Sequence, residues 1–257
     1  MKNKYCTLFD SFYLDKGLLM VRSLINCSEQ AEVFVYAFDD FAYEVLERER
    51  IERVHVIDFE TIITDEIVEL RRNRSRAEFC WSMTPFIIEY SIHNWSLENC
   101  TYIDADLFFF KDPACLIDEM FSDNASVQVV EHRFKNNLKY RRVIKRCGRY
   151  CVEFNTFLSN EEGMRVLEDW KKKCFDCCTS DWNTGTFGDQ KYLDDWEKNF
   201  GRINVLSNHG GGMAPWNIEN YALINTIDNQ YIQVSEKKTK EKYELVFYHF
   251  HDLVFFK

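Results

Sequence analysis

CTYIDADLFFFKDP, residues 100–113, sets two carboxylates, Asp104 and Asp106, one residue apart between an apolar strand and an aromatic run. A surface turn would mix such charges with Gly, Asn and Ser. The hydrophobic flanks here push the segment inward, where charges need a partner. Carboxylates at i and i+2 beyond a strand can reach one hard cation, Mg²⁺ or Mn²⁺. Such ions keep coordination positions for substrate phosphates, which points to a diphosphate-bearing ligand.

Working outward, apolar runs rich in Val, Ile, Phe and Tyr alternate with segments of helical period, the pattern of an α/β protein with a mostly parallel sheet. Lys4 to Phe9 predicts a strand, Asp15 to Cys27 a helix with Leu18, Val21, Leu24 and Ile25 on one face, and Val33 to Phe38 the next strand. A helix over Phe41 to Ile51 and a strand over Val54 to Phe59 follow. Thr84 and Pro85 predict a helix start, with Thr84 as N-cap and the helix running to about His93. The acidic pair then ends a fourth strand. Ligands of open α/β sheets gather outside the carboxyl ends of strands. The second half predicts strands at Val127 to Val130 and Val152 to Leu158, a basic segment from Lys135 to Arg149, and a helix from Glu161 to about Cys174. With three prolines and no linker composition, residues 1–257 read as one domain with one continuous sheet. The nucleotide-binding half is placed at about residues 1–110 and the acceptor half at about 111–257.

The 257 residues are 46% hydrophobic, enough for a large core, and carry a formal charge of −10. That field disfavours nucleic acid and anionic membrane, so an anionic substrate needs a local positive site. No apolar stretch approaches the ~20 residues of a membrane span, and the N-terminus lacks a signal-peptide pattern. A cytoplasmic protein with ten reduced cysteines is expected. The Asn-x-Ser matches at Asn26, Asn73, Asn94 and Asn124 are then incidental. The groups Cys147 with Cys151, and Cys174 with Cys177 and Cys178, lack the paired short spacing of a zinc site.

Three further segments carry candidate chemistry. Gly188 precedes Asp189 and Gln190 in GDQKYLDDW, where Asp also suits a helix N-cap. Gly210, Gly211 and Gly212 let the backbone approach a ligand or make a turn. ELVFYHFH holds His249 and His251, and an imidazole near the carboxylates would complete a three-ligand site.

The order of these segments resembles the GT-A fold nucleotide-sugar glycosyltransferases, and is similar to glycosyltransferase family 8 and its bacterial polysaccharide-building relatives. YCTLFDSFYLDKG, CTYIDADLFFFKDP, FNTFLSN, FGDQKYLDDW, GGGMAPWN and FYHFH carry the resemblance. It implies that Asp104, Asp106 and His249 hold Mn²⁺ or Mg²⁺ on the diphosphate of a donor such as a UDP-sugar. Thr7 and Asp10 would lie near the base and ribose. Asp189 would bind donor-sugar hydroxyls, with Gln190 beside the anomeric carbon. The implied reaction is transfer to a glycan or lipid-linked glycan, with retention.

Two departures stand out. The group follows its late His-Phe with Gly and Lys-Pro-Trp, where this chain has Phe250, His251, Asp252 and Leu253. Phosphate contacts then fall to Gly211 and Gly212. An arginine usual in the helix before the acidic motif is also absent, and Arg74, from the cluster with Arg71, Arg72 and Arg76, is the expected substitute. The alternatives are a haloacid dehalogenase-like phosphatase, which also uses Asp-x-Asp, and a non-catalytic sugar-nucleotide-binding module.

Overall fold

The computed structural model describes residues 3–224 and 232–253. The first half alternates β1 (Lys4–Phe9), α1 (Leu14–Cys27), β2 (Glu32–Ala37), α2 (Asp40–Glu49) and β3 (Val54–Asp58). Then come α3 (Asp65–Asn73), α4 (Arg76–Asn94), β4 (Asn99–Ile103), β5 (Leu107–Phe109) and α5 (Ala114–Ser122). The second half begins with β6 (Val127–Glu131), α6 (Leu138–Cys147), β7 (Tyr150–Leu158), α7 (Glu161–Asp176), α8 (Trp196–Asn199) and β8 (Ile203–Val205). It closes with β9 (Tyr221–Ile224), β10 (Gln233–Glu236), β11 (Lys242–Glu244) and β12 (Phe247–His249).

Seven strands form one sheet in the order β3-β2-β1-β4-β7-β6-β8. β3, β2, β1 and β4 run parallel, as do β6 and β8, while β7 is antiparallel to both its neighbours. Both halves contribute strands to this sheet, but the strands do not form one continuous sheet: β9, β10 and β11 make a separate three-stranded sheet, and β5 pairs with β12. The two-residue strand period sends Tyr5 and Val33 into a core under α1, α2 and α5, and Cys6 and Phe34 into one under α3, α4 and α7. Burial on both faces explains why the strands are almost continuously apolar.

The helix before the acidic motif starts nine residues earlier than Thr84–Pro85 implied. Ser75 accepts from the Glu78 N–H while the Glu78 carboxylate accepts from the Ser75 N–H, a capping box that opens α4 at Arg76. Pro85 lies inside α4. Thr84 is thus a buried interior side chain.

Candidate metal and donor site

β4 ends at Ile103, and the chain turns at Asp104, whose N–H donates to the Glu153 carbonyl of β7. A 3.3 Å hydrogen bond from the Leu107 N–H to the Asp104 carbonyl closes the turn. β12 then pairs antiparallel with β5 and sets His249 opposite Leu107. The His249 N–H donates to Met213 O, and the Phe250 N–H to Asp106 O. Backbone bonds alone thus deliver the late imidazole to the acidic turn.

His249 Nε2 lies 3.0 Å from Asp106 Oδ1 and 3.8 Å from Asp104 Oδ2. Its Nδ1 lies 2.6 Å from Glu153 Oε2, and Glu153 is 1% exposed. A carboxylate behind the second ring nitrogen orients an imidazole and raises its basicity as a ligand. Trp216 meets both His249 and His251 edge-on, with ring centroids 5.2 and 5.3 Å away. Asp106, His249 and His251 offer ligand atoms within 4.8 Å of one another. The Tyr102 hydroxyl donates to Asp104 Oδ1 at 2.9 Å.

The electrostatics fit a cation site. Burial pushes Asp104 well above the usual carboxylate range, His249 opposes it, and Asp106 and Asp189 add to it. Burial also acts upward on Asp106, but its hydrogen bond and charge contact with His249 outweigh that and hold it low. Burial acts downward on His249, yet hydrogen bonds with Asp106, Cys151 and Glu153 raise it well above an ordinary imidazole. Asp104 and His249 are thus both shifted toward their protonated forms, and Asp106 toward its charged one.

Asp189, 5% exposed, precedes the 3₁₀ turn Gln190–Asp195. Burial raises it to about 7, against hydrogen bonds from backbone and the Thr84 hydroxyl. Its charge acts on Asp104 and Tyr102, which places it in their electrostatic neighbourhood. Gln190 instead donates its amide nitrogen to Cys147 O at 2.6 Å, tying the 3₁₀ turn to the end of α6.

Beyond β1 and β2 a cleft of about 450 Å³ is lined by Asp10, Phe38, Asp39, Arg71, Arg74 and Arg76, among others. Arg76 pairs with Asp10 and covers the Phe12 ring. Arg74 borders the cleft too, but its guanidinium donates to Ser82 Oγ and to the Cys174 and Phe175 carbonyls at the end of α7. The guanidinium engaging Asp10 is thus that of Arg76. Thr7 is fully enclosed within β1. The glycine loop packs against protein: a Cβ on Gly211 would meet Leu116 at 2.8 Å, and one on Gly212 would meet Val130 at 2.6 Å.

Two residues escaped the sequence reading. Glu153 is the carboxylate behind His249, and Asn155, fully buried two positions on, has neither amide atom paired among the described residues. Both interrupt the apolar run YCVEFNTFL, and a buried Glu or Asn mid-strand is the signal that could have found them. All ten cysteines are free thiols.

No protein-family model matches the sequence. Similar sequences include the uncharacterized proteins YfnD and YfnF of Bacillus subtilis (strain 168). YfnD is 28% identical over 249 residues, covering 96% of this chain and 76% of YfnD. YfnF is 25% identical over 223 residues, covering 84% and 73%. Among solved structures, galactosyltransferase LgtC in complex with donor and acceptor sugar analogs aligns with a TM-score of 0.59 at 14% identity, over 96% of this chain and 87% of LgtC. Mouse xyloside xylosyltransferase 1 aligns at 0.58 and 14% identity, over 98% of both chains. The chain has the GT-A glycosyltransferase fold. In this GT-A sheet the acidic pair follows the fourth strand, whereas the phosphatase alternative places its Asp-x-Asp after the first.

Proposed function

We propose that this chain transfers a sugar from a nucleotide-diphosphate sugar, a UDP-sugar, to a hydroxyl of a glycan or lipid-linked glycan, with Mn²⁺ or Mg²⁺ bound. The observation that carries this reading is the meeting of His249 Nε2 with Asp106 and Asp104, backed by Glu153. Asp104, Asp106 and His249 would hold the ion, and His251 stands close enough to join them. Bound there, the ion would neutralise the charge that grows on the leaving diphosphate.

The chain's own groups account for the rest. Asp10 and Arg76 border the cleft that suits the nucleoside, with Arg74 at its edge. Gly211 and Gly212, expected at the phosphates, are buried and face Leu116 and Val130, so their packing does not add to that expectation. Asp189, enclosed and near the acidic pair, suits hydroxyls of the donor sugar. Gln190, beside it, is assigned to the anomeric centre, where its amide oxygen would favour an oxocarbenium-like state without forming a stable bond. Retention follows if the leaving phosphate accepts the acceptor's proton on the same face.

The test is incubation with a panel of UDP-sugars, with and without Mn²⁺, measuring UDP release for the wild type and Asp106→Ala. Metal-dependent UDP release that Asp106→Ala abolishes is expected. Wild-type turnover by Asp106→Ala at saturating Mn²⁺ removes the metal-site reading, and no UDP release from any donor removes the transferase reading.

A further inference from the structure

The stretch from Lys135 to Arg149 contains seven basic residues and no acidic one, in a chain whose formal charge is −10. Its centre is α6, a helix about 15 Å long. Lys139, Arg141, Arg142, Lys145 and Arg146 are all exposed, and no carboxylate among the described residues lies within ion-pairing distance of any of them. Repulsion among five uncompensated cations in three turns costs stability, so their grouping calls for an external anion.

The opposite stripe, Tyr140, Val143, Ile144 and Cys147, is half-buried. Gln190 and Lys191 donate to the Cys147 and Ile144 carbonyls and hold α6 on the body. The basic face thus points outward as a fixed surface. An exposed apolar group stands at each end: Leu138 is 75% exposed, and Trp182, 51% exposed, lies under the Arg146 guanidinium at 5.2 Å.

We infer that α6, with Leu138 and Trp182 at its two ends, is a docking surface for an anionic membrane. Each Lys or Arg near such a surface contributes about 1 kcal/mol, and apolar groups at the margins enter the headgroup layer. The charge of the remaining body, repulsive at long range, is screened beyond about 8–10 Å at physiological salt. The two apolar ends favour lipid over nucleic acid, whose backbone offers no apolar layer.

The surface is joined to the candidate site at both ends. Gln190 adjoins Asp189 at the C-terminal end of α6. At the N-terminal end, Tyr140 stacks on Phe134, which packs on Trp216, the ring that meets both His249 and His251 edge-on. Docking through α6 would hold the site next to the bilayer, where a lipid-linked acceptor resides. That last step rests on the transferase reading, whereas the docking itself rests on charge and exposure alone.

The experiment is co-sedimentation of the full chain with vesicles of phosphatidylcholine alone or mixed with phosphatidylglycerol, with melting temperature as the folding control. Binding to the mixed vesicles only is expected, released on raising salt from ~0.1 to ~0.5 M. The double variant Arg142→Glu with Lys145→Glu should weaken partitioning at least tenfold, and Trp182→Ala should weaken it severalfold without abolishing salt sensitivity. Equal binding to both vesicle types, no binding to either, or unchanged binding by the folded double variant overturns the proposal. Displacement from the mixed vesicles by a homopolymeric RNA that binds more tightly also overturns it and makes α6 a nucleic-acid surface. These readouts need no donor sugar, so they stand or fall apart from UDP release.

Discussion

Glu153 and His249, 96 residues apart in the chain, meet at 2.6 Å inside the protein, and the other nitrogen of the same ring faces Asp106. This pairing fixes the tautomer: with Nδ1–H donating to Glu153, Nε2 is the nitrogen available to a cation.

Glu153→Gln keeps the shape of the side chain but removes the charge behind the ring. The Mn²⁺ concentration for half-maximal activity should rise about 10–100-fold. Titration of activity and direct calorimetric binding should agree. Unchanged metal affinity would reduce Glu153 to a packing residue.

The pH dependence of metal binding follows from the proton on His249. Its pKa is raised, so the imidazolium persists above the ordinary value of about 6.5, and metal must displace that proton. Apparent Mn²⁺ affinity should therefore climb with pH, and the climb should continue above about 6.5. His249→Ala should flatten the curve and abolish most activation, while His251→Ala, at an exposed position, should retain the slope. If the two variants exchange behaviour, His251 is the principal imidazole ligand.

Asp189 links the site to stability. Its carboxyl keeps a proton to about pH 7 when folded and releases it near pH 4 when unfolded. Between those values the unfolded chain binds fewer protons, so this group's contribution falls as pH rises and stays low above about 7. Asp189→Asn should raise stability at pH 8 by at most about 4 kcal/mol, with little change at pH 4, while sugar transfer is lost. Urea melts at both pH values test this, and an equal shift at both would contradict it.

Gly212 has φ +79°, and an added Cβ would lie 2.6 Å from Val130 and 3.3 Å from Glu153 Oε1. Gly212→Ala should cost about 1–3 kcal/mol through strain and overpacking. It should also weaken Mn²⁺ activation by displacing Glu153, and a melt combined with a metal titration would show both effects or neither.

Much of this was legible in the residues. The β1 to β3 alternation, the acidic pair after β4 and the late imidazole all show local signals, namely period, apolar flanks and residue type. The start of α4 was legible as well, since Ser75 and Glu78 stand at capping-box spacing, but Thr84–Pro85 is the louder local pattern. Other features depend on contacts distant in sequence. Nothing near Arg76 distinguishes it from Arg74, because the difference is made by Asp10, 66 residues earlier, and by the end of α7. Glu153 becomes intelligible only once β12 brings His249 against β7.

The late arrival of β12 also dictates an order of events during synthesis. At ~5–20 residues per second, roughly 5–20 s separate the emergence of Glu153 from that of His249. Throughout that interval β7 can pair with β4, but its carboxylate has no imidazole and must stay protonated or wet. On the proposed metal site, capture of a cation would then be reserved for chains synthesised as far as β12, because a nascent chain stalled before it lacks His249.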